Sequence, residues 1–220
     1  MANNLTDIYV GVKKNDPNRN VNDLYPTPPL ATYVLHKYGN LPHHIVEPCA
    51  GRGNISIELI RNGYSVESYD KFKYDNSLCD ITTDQDVLTL EKPSLAQALV
   101  TNPPYHKDLP RQIALKGATE YDVTALFVRL TFLEGKKRKQ LFSDHPPSDI
   151  IFLSDRIRFD SNIIEQVERK DQIGGMIAYC WIIFRKDHCG PTQLRWVSLE
   201  EEYDEWRNGY DAYQQNILRK

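Results

Sequence analysis

The sequence predicts an α/β protein built on a single, mostly parallel sheet of seven strands, with helices on both faces and one antiparallel strand near its end. Two observations carry this. Short apolar runs alternate along the chain with longer helix-like stretches, the pattern of successive strand-helix-strand units. The apolar run at 176–185 follows the one at 149–153 with no helix between them, so the two cannot readily lie parallel.

Residues 1–22 are polar and Asn-rich and read as a tail. Residues 28–38 read as a helix, entered through proline-rich chain and stopped at Gly39. Strands are expected at 45–48, 66–70, 98–101, 123–128, 149–153, 176–185 and 193–197, with a further short strand at 87–89 completing the sheet. Helices are expected at 54–62, 109–118, 134–143 and 200–216. The division that follows is a tail at 1–22, one domain at 23–198, and a C-terminal helix at 199–220 packed on the domain or extending from it.

At 220 residues the chain is long enough for one full core. Forty per cent hydrophobic residues and a mean hydropathy of -0.55 fit a cytoplasmic protein without a membrane span. Cys49, Cys79, Cys180 and Cys189 form no C-x-x-C pair, so neither a metal site nor a disulfide framework is expected. A net charge of -3 does not advertise nucleic-acid binding, but local patches rather than the sum set that footprint.

The most informative residues are Asn102, Pro103, Pro104 and Tyr105, directly after the apolar run Ala98-Leu99-Val100. An exocyclic amine on a purine ring is a poor nucleophile because its lone pair is spread into the ring. Two acceptors aimed at its N–H bonds, Asn102 Oδ1 and the Pro103 carbonyl, would draw the nitrogen toward tetrahedral geometry. Consecutive prolines have no N–H to compete and have fixed φ angles. Tyr105 offers an aromatic face for a planar base, a task that needs the ring and not the hydroxyl. The other reading of these residues is an Asx-Pro turn closing a strand.

Upstream, Ile45-Val46-Glu47-Pro48-Cys49-Ala50-Gly51-Arg52-Gly53-Asn54-Ile55 reads as a buried strand, a glycine turn and a helix start. Such a loop lets backbone approach a ligand closely. It is not a dinucleotide fingerprint, because position 56 is Ser56, and no phosphate-loop G-K-[ST] follows. An acidic residue opening the loop suits a ligand with a positive amino group and sulfonium. At the ends of parallel strands, Glu47, Asp70 and Asn102 would converge on one cleft.

E-P-C-A-G-R-G followed by T-N-P-P-Y resembles the amino-methyltransferases that use S-adenosylmethionine, especially bacterial and phage DNA adenine-N6 methyltransferases. The likeness runs over roughly residues 22–198, with Arg129-Leu130-Thr131-Phe132-Leu133-Glu134-Gly135, His145-Pro146-Pro147 and Gly190-Pro191-Thr192 resembling a compact phage-type subgroup. It implies a Rossmann-like class I methyltransferase fold, in which the strand at 176–185 is the antiparallel one. It also implies cofactor contacts at Tyr25, Thr27 and Pro28, at Glu47, Cys49, Ala50, Gly51 and Gly53, at Asp70 for the ribose, and at Asp86 and Val87 for the adenine. Catalysis would fall to Asn102, Pro103, Pro104 and Tyr105, with Phe159 as the second wall of a base slot facing Tyr105. No metal is implied.

A target amine inside a duplex cannot reach such a cleft, so the base must flip out of double-stranded DNA or come from a single strand. Lys136-Lys137-Arg138-Lys139 and, in the loop 154–175, Arg156, Arg158, Arg169 and Lys170 are the cations that could meet phosphates. The chain departs from the family in having no separate target-recognition domain, and in carrying Val87 where an aromatic is common. RNA adenine methylation, protein glutamine methylation and a catalytically inactive interaction module stay open as readings, and a homodimer is compatible with each. If phage-encoded, the enzyme would work in the host cytoplasm.

Overall fold

The structure is a computed structural model that describes residues 24–106, 108–160 and 166–218. The expected tail at 1–22, together with Asp23, Lys107 and part of the 154–175 loop, lies outside the described residues. The chain runs α1 (Pro29–Tyr38), β1 (His44–Glu47), α2 (Asn54–Arg61), β2 (Ser65–Ser68), β3 (Ala98–Thr101), α3 (Leu109–Glu120) and β4 (Val123–Arg129). A 3-10 turn (Leu130–Leu133) then leads to α4 (Lys136–Asp144), β5 (Asp149–Leu153), α5 (Arg169–Gln172), β6 (Tyr179–Arg185), β7 (Gln193–Val197) and α6 (Leu199–Leu218).

The strands form one seven-stranded sheet in the order β2-β1-β3-β4-β6-β5-β7. β6 runs antiparallel to both β4 and β5, and every other pairing is parallel. The C-terminal ends of β1 to β5 therefore share one edge of the sheet.

Two expectations are corrected. Residues 87–89 form a turn, not a strand. Asp86 Oδ1 accepts from the Leu88 N–H at 3.0 Å and the Asp86 carbonyl accepts from the Leu90 N–H at 2.8 Å, a local closure that competes with strand pairing. The seventh strand is β7. The antiparallel strand begins at Tyr179 rather than 176, because the preceding residues complete a small loop clasped by the Ile157↔Ile173 bridge.

Alternation along each strand feeds two cores, one on each face. Ile45, Ala98, Val100, Ala125, Phe127, Trp181 and Ile183 pack on one side with α1, α2 and α6. Val46, Leu99, Leu126, Val128, Ile182 and Phe184 pack on the other with α3 and α4. Single buried hydrogen bonds fix α1 to the sheet and α6 to α2. Trp181 Nε1 donates to the Ala31 carbonyl at 2.8 Å, and Trp206 Nε1 donates to Glu58 Oε1 at 2.9 Å.

Candidate active site

A cavity of about 520 Å³ opens at the C-terminal edge of β1, β2 and β3. Of the residues expected to hold a cofactor or act on a substrate, Tyr25, Thr27, Glu47, Cys49, Ala50, Gly51, Asp70, Asp86, Val87, Asn102 and Pro104 line it. Pro28, Gly53, Pro103, Tyr105 and Phe159 do not.

β1 ends at Glu47, whose carboxylate is buried and takes the backbone N–H of Ser56 at 2.8 Å as well as the Ser56 hydroxyl. Burial, with Asp70 nearby, pushes this carboxyl up to about 8 against the pull of those two hydrogen bonds. The loop then turns through Gly51 at φ 58° and Gly53 at φ 83°. A Cβ on Gly53 would lie 2.5 Å from Cys79 Sγ, so the tight turn and its packing both require glycine.

Asp70, beyond β2, braces that loop. Its Oδ2 accepts from the Gly51 N–H at 2.7 Å and its Oδ1 from the Phe72 N–H at 2.8 Å. Burial raises its pKa, while those backbone donors oppose the rise. Asp86 sits across the cavity, paired with Lys71 at 2.9 Å, which holds its carboxyl below the usual range. Burial pushes the Cys49 thiol up, so it is held neutral.

Asn102 stands just past β3 with each polar atom of its amide engaged. Nδ2 donates to the Tyr25 carbonyl at 3.2 Å and to Thr27 Oγ1 at 3.1 Å, and Oδ1 accepts from the Tyr105 hydroxyl at 3.1 Å. Because the Tyr25 carbonyl can only accept, the amide has one orientation. The residues 24–28, which carry the Thr-Pro pair, are thereby tied to the catalytic candidate. Their continuation into α1 is pinned by Gln172 Oε1, which accepts from the Leu30 N–H at 2.8 Å.

Tyr105 is placed differently from an open stacking platform. Its hydroxyl also lies 3.2 Å from the Phe127 carbonyl, and the Arg129 guanidinium covers its ring at 4.7 Å. Arg129 Nε donates to the Tyr179 hydroxyl at 3.2 Å. Tyr179 stands edge-on to Tyr105 at 6.4 Å and to Phe159 at 5.1 Å, and Phe159 in turn meets Tyr25 at 5.9 Å. Tyr105 and Phe159 thus belong to one aromatic group joined through Tyr179. Sequence reasoning singled out neither Arg129 nor Tyr179 for this place, because nothing in the spacing shows which side chains of neighbouring strands meet. Lys71, Phe72, Gln85, His106 and Leu109 also line the cavity without a motif to mark them.

No protein-family model matches the chain, and no curated protein matches it. Solved structures do. A protein from Listeria monocytogenes described as a candidate class I S-adenosylmethionine-dependent methyltransferase superposes with a TM-score of 0.55 at 13% identity, over 86% of this chain and 73% of that one. A candidate RNA methyltransferase from Pyrococcus horikoshii gives 0.56 at 16% identity, over 81% of this chain and 95% of that one. A modification subunit of a candidate type I restriction enzyme from Vibrio vulnificus YJ016 gives 0.50 at 14% identity, over 86% of this chain and 53% of that one.

The chain has the class I methyltransferase fold. In class I terms, the β1 loop, the β2 end and the β3 end supply Glu47, Asp70 and Asn102, which line one cavity. Among the described residues no group of His, Cys, Asp or Glu could hold a metal ion.

Proposed function

We propose that this protein transfers a methyl group from S-adenosylmethionine to the exocyclic N6 amine of adenine in DNA. The observation that carries the reading is Asn102. Its amide is locked by Tyr25, Thr27 and Tyr105 at the rim of a cavity whose other lining includes two buried carboxylates.

The lining fits the cofactor. A cavity of about 520 Å³ is of nucleoside-ligand size. Burial holds Glu47 protonated up to about 8, and an arriving cation would favour its charged form. Ile55, Phe72, Val87 and Leu88 give apolar walls for a ring. When bound, S-adenosylmethionine would supply a methyl group already activated on a positive sulfur.

The chain's own part is alignment and lone-pair release. With Nδ2 turned toward Tyr25 and Thr27, Asn102 presents Oδ1, an acceptor with two lone pairs. One takes the Tyr105 hydroxyl and the other is free for a substrate N–H. The Pro48-Cys49 pair lies in the loop after β1 and not after β3, which supports amine chemistry over attack of a thiolate on a ring carbon. The likeness to the Vibrio vulnificus modification subunit supports DNA as the substrate. The likeness to the Pyrococcus horikoshii protein favours RNA as the second reading.

Incubation with tritiated S-adenosylmethionine and unmethylated duplex DNA, single-stranded DNA or RNA, followed by nucleoside analysis, tests the proposal. Label is expected in N6-methyladenine from DNA. Label confined to RNA, cytosine or protein would overturn it.

A further inference from the structure

We propose that the first turn of α4 is a phosphate clamp for nucleic acid, with Lys136, Lys137 and Lys139 as the grip and Arg138 as its anchor. The proposal rests on the reading of the substrate as a nucleic acid.

Four consecutive cations open α4, and its first turn contains no acid. A helix N-terminus carries partial positive charge, so cations there oppose the macrodipole. The chain does the opposite at α6, where Glu200, Glu201 and Glu202 occupy the first turn and Asp155 Oδ2 accepts the Leu199 N–H at 2.6 Å. Lys136, Lys137 and Lys139 are exposed, and among the described residues none forms an ion pair. The lysine charges at α4 are thus placed where they cost stability, and among the described residues no ion pair offsets them.

Their location gives them a use. β4 ends beside Asn102 and Tyr105, and the 3-10 turn carries the chain from there directly into α4. Arg138 fixes that connection by donating to the Glu134 and Thr131 carbonyls and covering the Phe132 ring at 5.3 Å. Arg111 chiefly, with Lys137 and Arg138 adding to it, lowers the pKa of Asp108, which adjoins Leu109 at the lip of the cavity. The cationic turn therefore flanks the place a target nucleotide would approach, and an array of phosphates is the partner that matches several adjacent lysines without a fixed geometry. Glu134 is the exposed carboxylate nearest in sequence; Asp108 is already paired with Arg111 at 2.7 Å.

The test compares wild type, the triple variant Lys136→Gln/Lys137→Gln/Lys139→Gln, and the control Lys92→Gln/Lys186→Gln, whose residues lie toward the opposite edge of the sheet. Anisotropy with fluorescent duplex DNA is measured across a salt series, alongside thermal unfolding and calorimetry with S-adenosylhomocysteine. The triple variant should bind DNA about 10- to 100-fold more weakly at low salt, with the slope of log affinity against log salt reduced by about 2 to 3. It should also melt about 2–6 °C higher, since charges that oppose the dipole are gone. S-adenosylhomocysteine affinity should stay within a few-fold. An unchanged salt slope, or an equal loss in the control, would overturn the clamp while leaving the methylation reading intact. A wild type that binds neither DNA nor RNA at any salt would overturn both.

Discussion

Asn102 offers two N–H donors and one carbonyl oxygen, and the fold addresses all three. The residue could be picked out from its position after an apolar strand followed by two prolines. The partner of its oxygen could not, because the direction of the Tyr105 hydroxyl depends on how β3 and β4 pack. Sequence reasoning gave Tyr105 a task for its ring alone, whereas the structure adds one for its hydroxyl. Tyr105→Phe should therefore reduce kcat about three- to tenfold with cofactor affinity within a few-fold, the size of one lost hydrogen bond. Asn102→Ala should abolish turnover with a similarly small effect on binding. If Tyr105→Phe turns over at the wild-type rate, the orienting role is wrong. Glu47 gives a second residue-scale expectation. Its pKa is about 8 in the folded protein against an ordinary value of 4.5, so between those values the folded state holds a proton that the unfolded state has released. That contribution is full at low pH and is lost as pH rises toward about 8. Denaturant melts at several pH values should show this decline in wild type, and Glu47→Gln should flatten it. A variant with the same decline would place the proton elsewhere.

Most elements follow from local pattern, and the exceptions have local causes. Strands β3 and β5 occupy the stretches their apolar runs predict, and β7 occupies its expected stretch. Residues 87–89 look strand-like by composition, yet Asp86 closes them into a turn with its own side chain. A lone Asp before three residues of good strand propensity leaves that competition undecided in a sequence. Helix α6 is legible as a helix, but its contact face is not, because its polar residues form as much of the interface as its apolar ones. Trp206 is buried and bonded to Glu58, while Glu202 takes both Lys37 at 2.7 Å and the Tyr38 hydroxyl at 2.6 Å. Trp206→Ala should cost about 3–5 kcal/mol, chiefly the cavity, together with one of the two donors to Glu58 Oε1, the other being Asn62 Nδ2 at 3.1 Å. Thermal unfolding would check this, and a loss below about 1 kcal/mol would mean that α6 contributes little to the fold.

At the scale of the whole molecule, the convergence of Glu47, Asp70 and Asn102 was readable because parallel strands deliver their C-terminal ends to one edge. The order of the strands beyond β4 was less so, since β6 enters between β4 and β5 and only its antiparallel direction was foreseeable. The aromatic group of Tyr25, Tyr105, Phe159 and Tyr179 draws on four separate parts of the chain and has no trace in spacing. The same long reach joins α1 to α6, where the Tyr33 hydroxyl meets Glu205 across 172 positions. A chain emerging from the ribosome exposes α1 long before residues 199–218 exist to cover it. Until then Tyr33, Lys37 and Tyr38 lack the partners they have in the folded protein, and α1 must wait for α6. The nascent chain is thus open to chaperones and proteases at α1 until residues 199–218 have been made, and the segment that steadies Asn102, which leads into α1, waits with it.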